Sequence, residues 1–222
     1  MKLSVVILTY NEEQHIERCI DSAKCLTNSI WVVDSYSTDR TISIANELGA
    51  HVLQREFVSH SDQFNWGIQQ IDKSDWVIRL DADEYMDDTL VRSIQSSLLQ
   101  NPSSITGFEF NRRIRFLGKD ITYGGIFPVK VVRMFRYGFA EVEPRLMDEH
   151  IVVQGETRCL DGELVDDNKN SLSWWITKHN RYSSMEALEM FAITHYDAQG
   201  TVVSGSAASR RQLKNLYTKV PI

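Results

Sequence analysis

Trp76-Val77-Ile78-Arg79-Leu80-Asp81-Ala82-Asp83-Glu84 is the stretch from which the rest of the chain is read. Trp76 to Leu80 is a mostly apolar run, the pattern of a buried strand. It stops abruptly at Asp81 and Asp83, with Ala82 between them. Residues two apart in an extended segment point to the same side, so the spacing predicts two carboxylates emerging together. Open α/β sheets bind ligands at the carboxyl ends of their strands. Two acids there repel unless a cation or donor groups offset them, which points to a hard divalent ion. The plainer alternative is that both acids cap a helix beginning near Asp87.

Upstream, Leu3–Leu8 reads as a strand and runs into the polar loop Thr9-Tyr10-Asn11-Glu12. Ile16, Cys19, Ile20, Ala23 and Leu26 follow at helical spacing. Ile30–Val33 is a second strand ending in Asp34, and Ser35–Asp39 is turn and N-cap chemistry for a helix that Gly49 stops. His51–Leu53 is a third strand, and Phe64, Ile68 and Ile71 mark another helix. Alternating strands and helices predict a doubly wound, mostly parallel sheet. Downstream, Asp87 or Asp88 caps a helix with Leu90, Val91, Ile94 and Leu98 inward. After Pro102, Ile105–Phe110, Lys130–Phe135 and Ile151–Val153 read as strands of a mixed sheet laid against the first half. A helix from Ser171 to about Ala198 packs through Leu172, Trp175, Ile176 and His179, and a last helix falls near Ser206–Tyr217. The division expected is 1–103, 104–170 and 171–222 within a single domain.

The chain has 222 residues, 42% hydrophobic and 10% aromatic, enough for one sizeable core. A net charge of −6 argues against a nucleic-acid partner. Residues 108–136 nevertheless carry seven Lys/Arg, and 201–222 carry Arg210, Arg211, Lys214 and Lys219 without an acid. Such segments suit phosphate or an anionic membrane surface, or simply a solvated face. Three cysteines without paired or metal-type spacing read as reduced packing residues of a cytosolic protein. Leu3–Leu8 is too brief for a secretory segment and no run reaches membrane-span length, so a soluble or peripheral protein is expected.

Three strands of one sheet thus end in Thr9–Glu12, Asp34 and Asp81-Ala82-Asp83, and neither a G-x-G-x-x-G nor a G-x-x-x-x-G-K-[ST] loop is present. An anionic ligand beside these acids requires a bridging metal. Ser4–Glu13, Val32–Asp39 and Leu80–Glu84 resemble the inverting family 2 glycosyltransferases. The similarity continues through Gln63-Phe64-Asn65-Trp66-Gly67, Arg133-Met134-Phe135 and Lys178-His179-Asn180-Arg181-Tyr182, pieces similar to small bacterial members that build lipopolysaccharide core, capsule or exopolysaccharide.

That resemblance implies a GT-A fold, an α/β architecture with a Rossmann-like sheet, a smaller acceptor half and C-terminal helices. It implies transfer of a sugar from a nucleotide-sugar donor, UDP-linked, to a glycan or lipid-linked acceptor. By resemblance, Thr9, Tyr10 and Glu12 line the base pocket, Asp34 accepts a uracil N–H, and Asn11, Gln63, Asn65 and Ala82 belong to the donor site. Asp81 contacts the ribose or the metal's water shell, and Asp83 coordinates Mg²⁺ or Mn²⁺. Glu149 aligns with the family's base, with Asp148 the alternative. Asp166 stands where relatives carry a metal-ligating His, which makes it, with Asp81, a candidate oxygen ligand for the same cation. Phe64 stands where many carry Arg or Lys, so Lys178, His179 and Arg181 are the candidates to offset diphosphate charge. Trp174-Trp175, the run Arg112–Phe116 and the basic tail are candidates to hold a phosphate-bearing, lipid-linked acceptor at the cytoplasmic face of the inner membrane. Rival readings are a phosphohydrolase with a D-x-D nucleophile, a sugar-1-phosphate nucleotidyltransferase, and a catalytically silent homologue that binds the donor.

Overall fold

A computed structural model describes residues 1–100, 103–124, 127–145 and 149–195, with side chains described to residue 187. The described residues form two compact units, one within Met1–Glu143 and His150–Lys169, the other made of residues 144, 145, 149 and 170–195.

In the first unit β1 (Leu3–Thr9), α1 (Ile16–Lys24), β2 (Ile30–Asp34), α2 (Thr41–Glu47), β3 (His51–Gln54), α3 (His60–Gln70) and β4 (Trp76–Asp81) alternate as expected. All seven β1 residues are buried, because helices cover both faces of a parallel strand. Val5 and Ile7 join Ile30, Val32 and the α1 face Ile16, Cys19, Ile20 and Ala23 in one core cluster. Val6 and Leu8 join Val33, Val77 and Phe64 of α3 in the other. Gly67 lets α3 sit this close: a Cβ there would meet Val33 Cγ2 at 2.7 Å.

The chain continues through β5 (Glu84–Met86), α4 (Asp88–Gln100), β6 (Ile105–Phe116), β7 (Lys119–Asp120), β8 (Val129–Arg136), β9 (Ala140–Val142), β10 (Ile151–Val153) and β11 (Glu156–Asn168). Asp87 caps α4 as expected, accepting from Leu90 N at 2.7 Å. The second half is not a separate layer. Among the described residues one nine-stranded sheet runs β3-β2-β1-β4-β8-β6-β11-β5, with β7 on β6, and only β9 and β10 pair apart. β8 joins antiparallel to β4, so the two halves share a single sheet. The thirteen-residue β11, read as no element from sequence, runs parallel to β6 and antiparallel to β5. Its alternation is broken by a register shift between Cys159 and Glu163, which conceals it. Gly162 sits in that shift at φ +94, against the start of α4.

The second unit contains α5 (Leu172–His195). Leu172 and Ile176, expected on a packed face, are 48% and 55% exposed. Trp175 and His179 instead stack on each other at 3.7 Å. The expected helix near 206–217 and the basic tail lie outside the described residues.

Candidate functional site

Parallel register sets Thr9 opposite Asp34 and Leu8 opposite Asp81. The backbones of Asp34 and Asp81 are therefore about two strand spacings, roughly 10 Å, apart at one rim of the sheet. Alternation along the strands sends Thr9 and Asp34 to the α1/α2 face and Asp81 to the α3 face. Asp34 is fully buried and accepts from Ser37 N at 2.9 Å, from the Ser37 hydroxyl, and from Gln54 Nε2 at 3.3 Å. Thr9 Oγ1 is buried without a hydrogen-bond partner among the described residues.

The loops after β1 and β2 are fastened together. Asn11, at φ +55, accepts from Thr38 N at 2.8 Å, and its own N–H donates to Ser37 Oγ at 2.8 Å. Glu12 N donates to Thr41 Oγ1 at 2.8 Å. Tyr10 and Tyr36 project from these loops, 57% and 52% exposed. Tyr36 escaped the sequence reading, although an aromatic inside the polar turn Ser35–Asp39 was the available signal.

The D-x-D segment departs from expectation. β4 ends at Asp81, and Ala82-Asp83 is a turn into β5, so the two-residue alternation does not carry across. Nor are the two carboxylates held by the same kind of group. Asp81 lies 3.4 Å from Arg79 Nη2 and 3.1 Å from Arg133 Nη2. Burial acts to raise its pKa, but these two guanidinium groups prevail and hold it below the ordinary carboxylate range. Asp83 accepts from Asn168 Nδ2 at 3.0 Å, and its carbonyl accepts from Asp167 N at 3.1 Å and Arg18 Nη2 at 3.3 Å.

Behind the turn, Glu84 is 1% exposed, accepting from Arg133 Nη2 at 2.6 Å and from Asp81 N at 3.1 Å. Burial, with the charges of Asp81 and Asp166, pushes its pKa up to about 7 against Arg133 and Arg112. Asp166 is gripped by Arg112 through Nε at 3.1 Å and through Nη2. Burial, then the charge of Asp83, raises its pKa. Asp81 and Asp166, expected as metal ligands, thus face arginines. No three His, Cys, Asp or Glu side chains among the described residues converge to hold an ion.

Two expected donor contacts prove to be internal ties. Gln63 is buried and donates to Val33 O at 3.1 Å and Ser35 Oγ at 2.6 Å, pinning α3 to the end of β2. Asn65 exchanges two hydrogen bonds with the Val142 backbone, at 3.0 and 3.1 Å, and so holds β9. Ala82 is buried, its N–H donating to Leu8 O at 3.2 Å. Phe64 is fully buried beneath Arg79, whose guanidinium lies 5.3 Å from the ring centre. The run Arg112–Arg115 is not a free positive patch: Arg112 pairs with Asp166, Arg113 with Asp120 and Glu163, and Arg115 with Asp120. Glu149, Lys178 and Arg181 belong to the second unit, where Lys178 Nζ lies 4.8 Å over Trp174 and 5.6 Å over Tyr182. Asp148 lies outside the described residues.

Arg133 and Glu84 stood in the quoted motifs and Arg112 in the basic run without these roles being read for them, and Asn168 was not singled out at all. Arg133, Arg112 and Asn168 reach their acids through the long-range β4–β8, β6–β11 and β5–β11 pairings, whereas Glu84 also meets Asp81 N three residues away.

The glycosyl transferase family 2 model matches residues 4–137. An uncharacterized glycosyltransferase of Rickettsia typhi is 27% identical over 199 residues, 85% of this chain and 68% of that protein. The lipopolysaccharide core biosynthesis glycosyltransferase LpsC of Rhizobium meliloti is 26% identical over 194 residues, 84% of this chain and 71% of its own. Against a Rickettsia bellii relative, 39% identical over 94 residues, the match spans only 32% of that protein. Staphylococcus aureus TarS 1-349, solved in complex with UDP-GlcNAc, superposes with a TM-score of 0.55 at 15% identity, over 77% of this chain and 60% of that one, a likeness of fold.

Proposed function

The chain belongs to glycosyl transferase family 2, and from that membership we propose that it moves a sugar, with inversion, from a UDP-linked donor to a glycan or lipid-linked acceptor of a bacterial surface polysaccharide. The observation that carries this reading is the rim itself: Thr9, Asp34 and the Asp81–Asp83 turn stand at the carboxyl ends of three adjacent parallel strands. The unpartnered Thr9 Oγ1 and the exposed rings of Tyr10 and Tyr36 suit a flat, polar-edged base beside them. Asp34 retains lone pairs beyond its Ser37 and Gln54 bonds with which to accept an imide N–H.

Asp83, held by a neutral amide, is the residue here that fits a Mg²⁺ or Mn²⁺ ion, since such ions take one or two carboxylates and complete their shell from water and substrate phosphates. The ion would offset the charge of the departing diphosphate. Asp81 and Asp166 would act from behind, through their arginines. In the transfer, the acceptor oxygen forms a bond to the anomeric carbon as the bond to the phosphate oxygen breaks. The acceptor proton passes to Glu149, or to Asp148, and the nucleoside diphosphate leaves with the bonding electrons.

The free cysteines accord with a cytoplasmic setting. With Arg112–Arg115 ion-paired, we assign any contact with the inner membrane to α5, where Trp174 and Lys178 lie together. A homologue that binds the donor without transferring it is the second reading, favoured by the arginines on Asp81 and Asp166. A thermal-shift panel of UDP-sugars and purine nucleotides, with and without Mn²⁺, followed by turnover, separates the two. UDP-sugars should raise the melting temperature more than purine nucleotides. Asp83→Asn should remove the Mn²⁺-dependent part of that rise, and Glu149→Gln should keep binding but lose transfer. Binding without turnover by the unmodified protein would favour the silent homologue, and indifference to every UDP-sugar would overturn the donor assignment.

A further inference from the structure

His15 is 1% exposed at the entrance to α1 and makes no capping bond with its own helix. It bridges two segments instead. Its Nδ1 lies 2.5 Å from Glu12 Oε2, and its Nε2 lies 2.8 Å from the backbone N of Lys169. A peptide N–H can only donate, so Nε2 must present its lone pair to Lys169. The ring proton of the neutral imidazole therefore sits on Nδ1 and is given to the Glu12 carboxylate. The environment fixes the tautomer.

Both ends of this bridge reach the rim. Glu12 lies in the loop after β1, tied through its N–H to Thr41. Lys169 follows directly on the run that braces the D-x-D turn. Asp166 meets Arg112, Asp167 meets Arg18, and Asn168 holds the Asp83 carboxylate. The stretch 166–169 is thus a backing strip for the turn, and His15 is the link from that strip to the base-side loop.

We propose that His15 is a positioning residue that couples the two ends of the donor site, fixing Glu12 on the base side in register with Asn168 and Asp83 on the phosphate side. The proposal deepens the donor-site reading above and rests on it for its functional consequence. Its structural content stands separately. Loss of the bridge should act as a loss of binding shared by ground state and transition state, raising the donor KM with little change in kcat.

Two measurements test it. Long-range nitrogen–proton NMR on the unmodified protein should report His15 with Nε2 unprotonated and Nδ1 protonated. A proton on Nε2 overturns the proposal whatever the protein's activity. The second uses His15→Asn, which retains a donor near the Nδ1 position, and His15→Gln, which retains an acceptor near the Nε2 position. Each keeps one end of the bridge and drops the other. Both should weaken the donor's apparent affinity. For His15→Asn the loss should be up to about tenfold, the scale of one lost neutral hydrogen bond, and for His15→Gln about tenfold or more, the scale of a lost hydrogen bond to a charged group. Both should also shift the Asn168 side-chain amide resonances. Should Asn168 stay unmoved in both folded variants, the coupling is refuted. If Asn168 moves but the unmodified protein binds no nucleotide sugar, the bridge survives and the donor reading fails. A variant that does not fold leaves the tautomer measurement to decide.

Discussion

Replacing Arg133 by Met should expose how far the rim depends on guanidinium groups from the second half of the chain. Arg133 is 8% exposed and Glu84 1%, and their contact is 2.6 Å long. Removing one member of a buried pair leaves the other charge uncompensated, at a cost of about 3–5 kcal/mol. Glu84→Gln keeps an acceptor oxygen and Asp81 as a partner for Arg133, so about 1–3 kcal/mol is expected. In the Glu84→Gln background that carboxylate is no longer stranded, and Arg133→Met should then cost markedly less. A coupling of at least ~1.5 kcal/mol is expected, well beyond the ~0.5 kcal/mol tolerance of independent sites. The assay is urea unfolding of the four proteins in chelator-containing buffer, read as a change in midpoint at constant slope. pH supplies a second check. The folded pKa of Glu84, about 7, lies above its ordinary 4.5, so the folded state binds the proton more tightly. Stability from that group is complete below 4.5 and is lost as pH rises through about 7. Without Arg133 the carboxyl should hold its proton more tightly still, so the Arg133→Met penalty should be smaller at pH 5.5 than at pH 8. Additive costs, equal at the two pH values, would refute the idea that the pair is a coupled unit.

Gly162→Ala should destabilise the protein by about 3 kcal/mol or more, because the new Cβ falls 2.1 Å from Leu90 N and the residue sits at φ +94. Urea unfolding reads it, and a cost below ~1 kcal/mol would mean that α4 and β11 are less closely apposed. Asn65→Ala should lose about 1–3 kcal/mol of stability with both Val142 bonds. Donor affinity measured on the folded fraction should stay within a few-fold, and a hundredfold loss would return Asn65 to the donor site.

The first four strands were legible because local chemistry alone determines them. Leu3–Leu8, Ile30–Val33 and Trp76–Leu80 are apolar runs that end in polar residues, and the α1 stripe repeats at helical spacing. β11 carries the opposite lesson. Asp161, Gly162 and Glu163 interrupt it, and it owes its place to pairing with β6 and β5 rather than to its own composition. The single sheet was hidden for the same reason, since the β4–β8 pairing joins Ile78 to Met134 and leaves no local signature.

At the rim, the positions of Thr9, Asp34, Asp81 and Asp83 could be read from the sequence, but the balance of charge could not. Adjacent carboxylates, read alone, call for a divalent cation. Arginines answer that requirement too, and here they arrive from strands far along the chain: Arg133 from β8 onto Asp81 and Glu84, Arg112 from β6 onto Asp166. A guanidinium in ordered contact is a permanent counter-charge, whereas an ion exchanges with solvent. Asp83 meets the Asn168 amide instead, which orients its carboxylate without neutralising it. The electrostatic demand at this turn is therefore narrower than two pooled acids would make it. A single oriented carboxylate binds a hard divalent ion weakly on its own, and a diphosphate can supply the remaining oxygen ligands. On the proposed reading, ion and donor would reinforce each other's binding at Asp83, and the arginines behind it would keep the surrounding acids from repelling the phosphates.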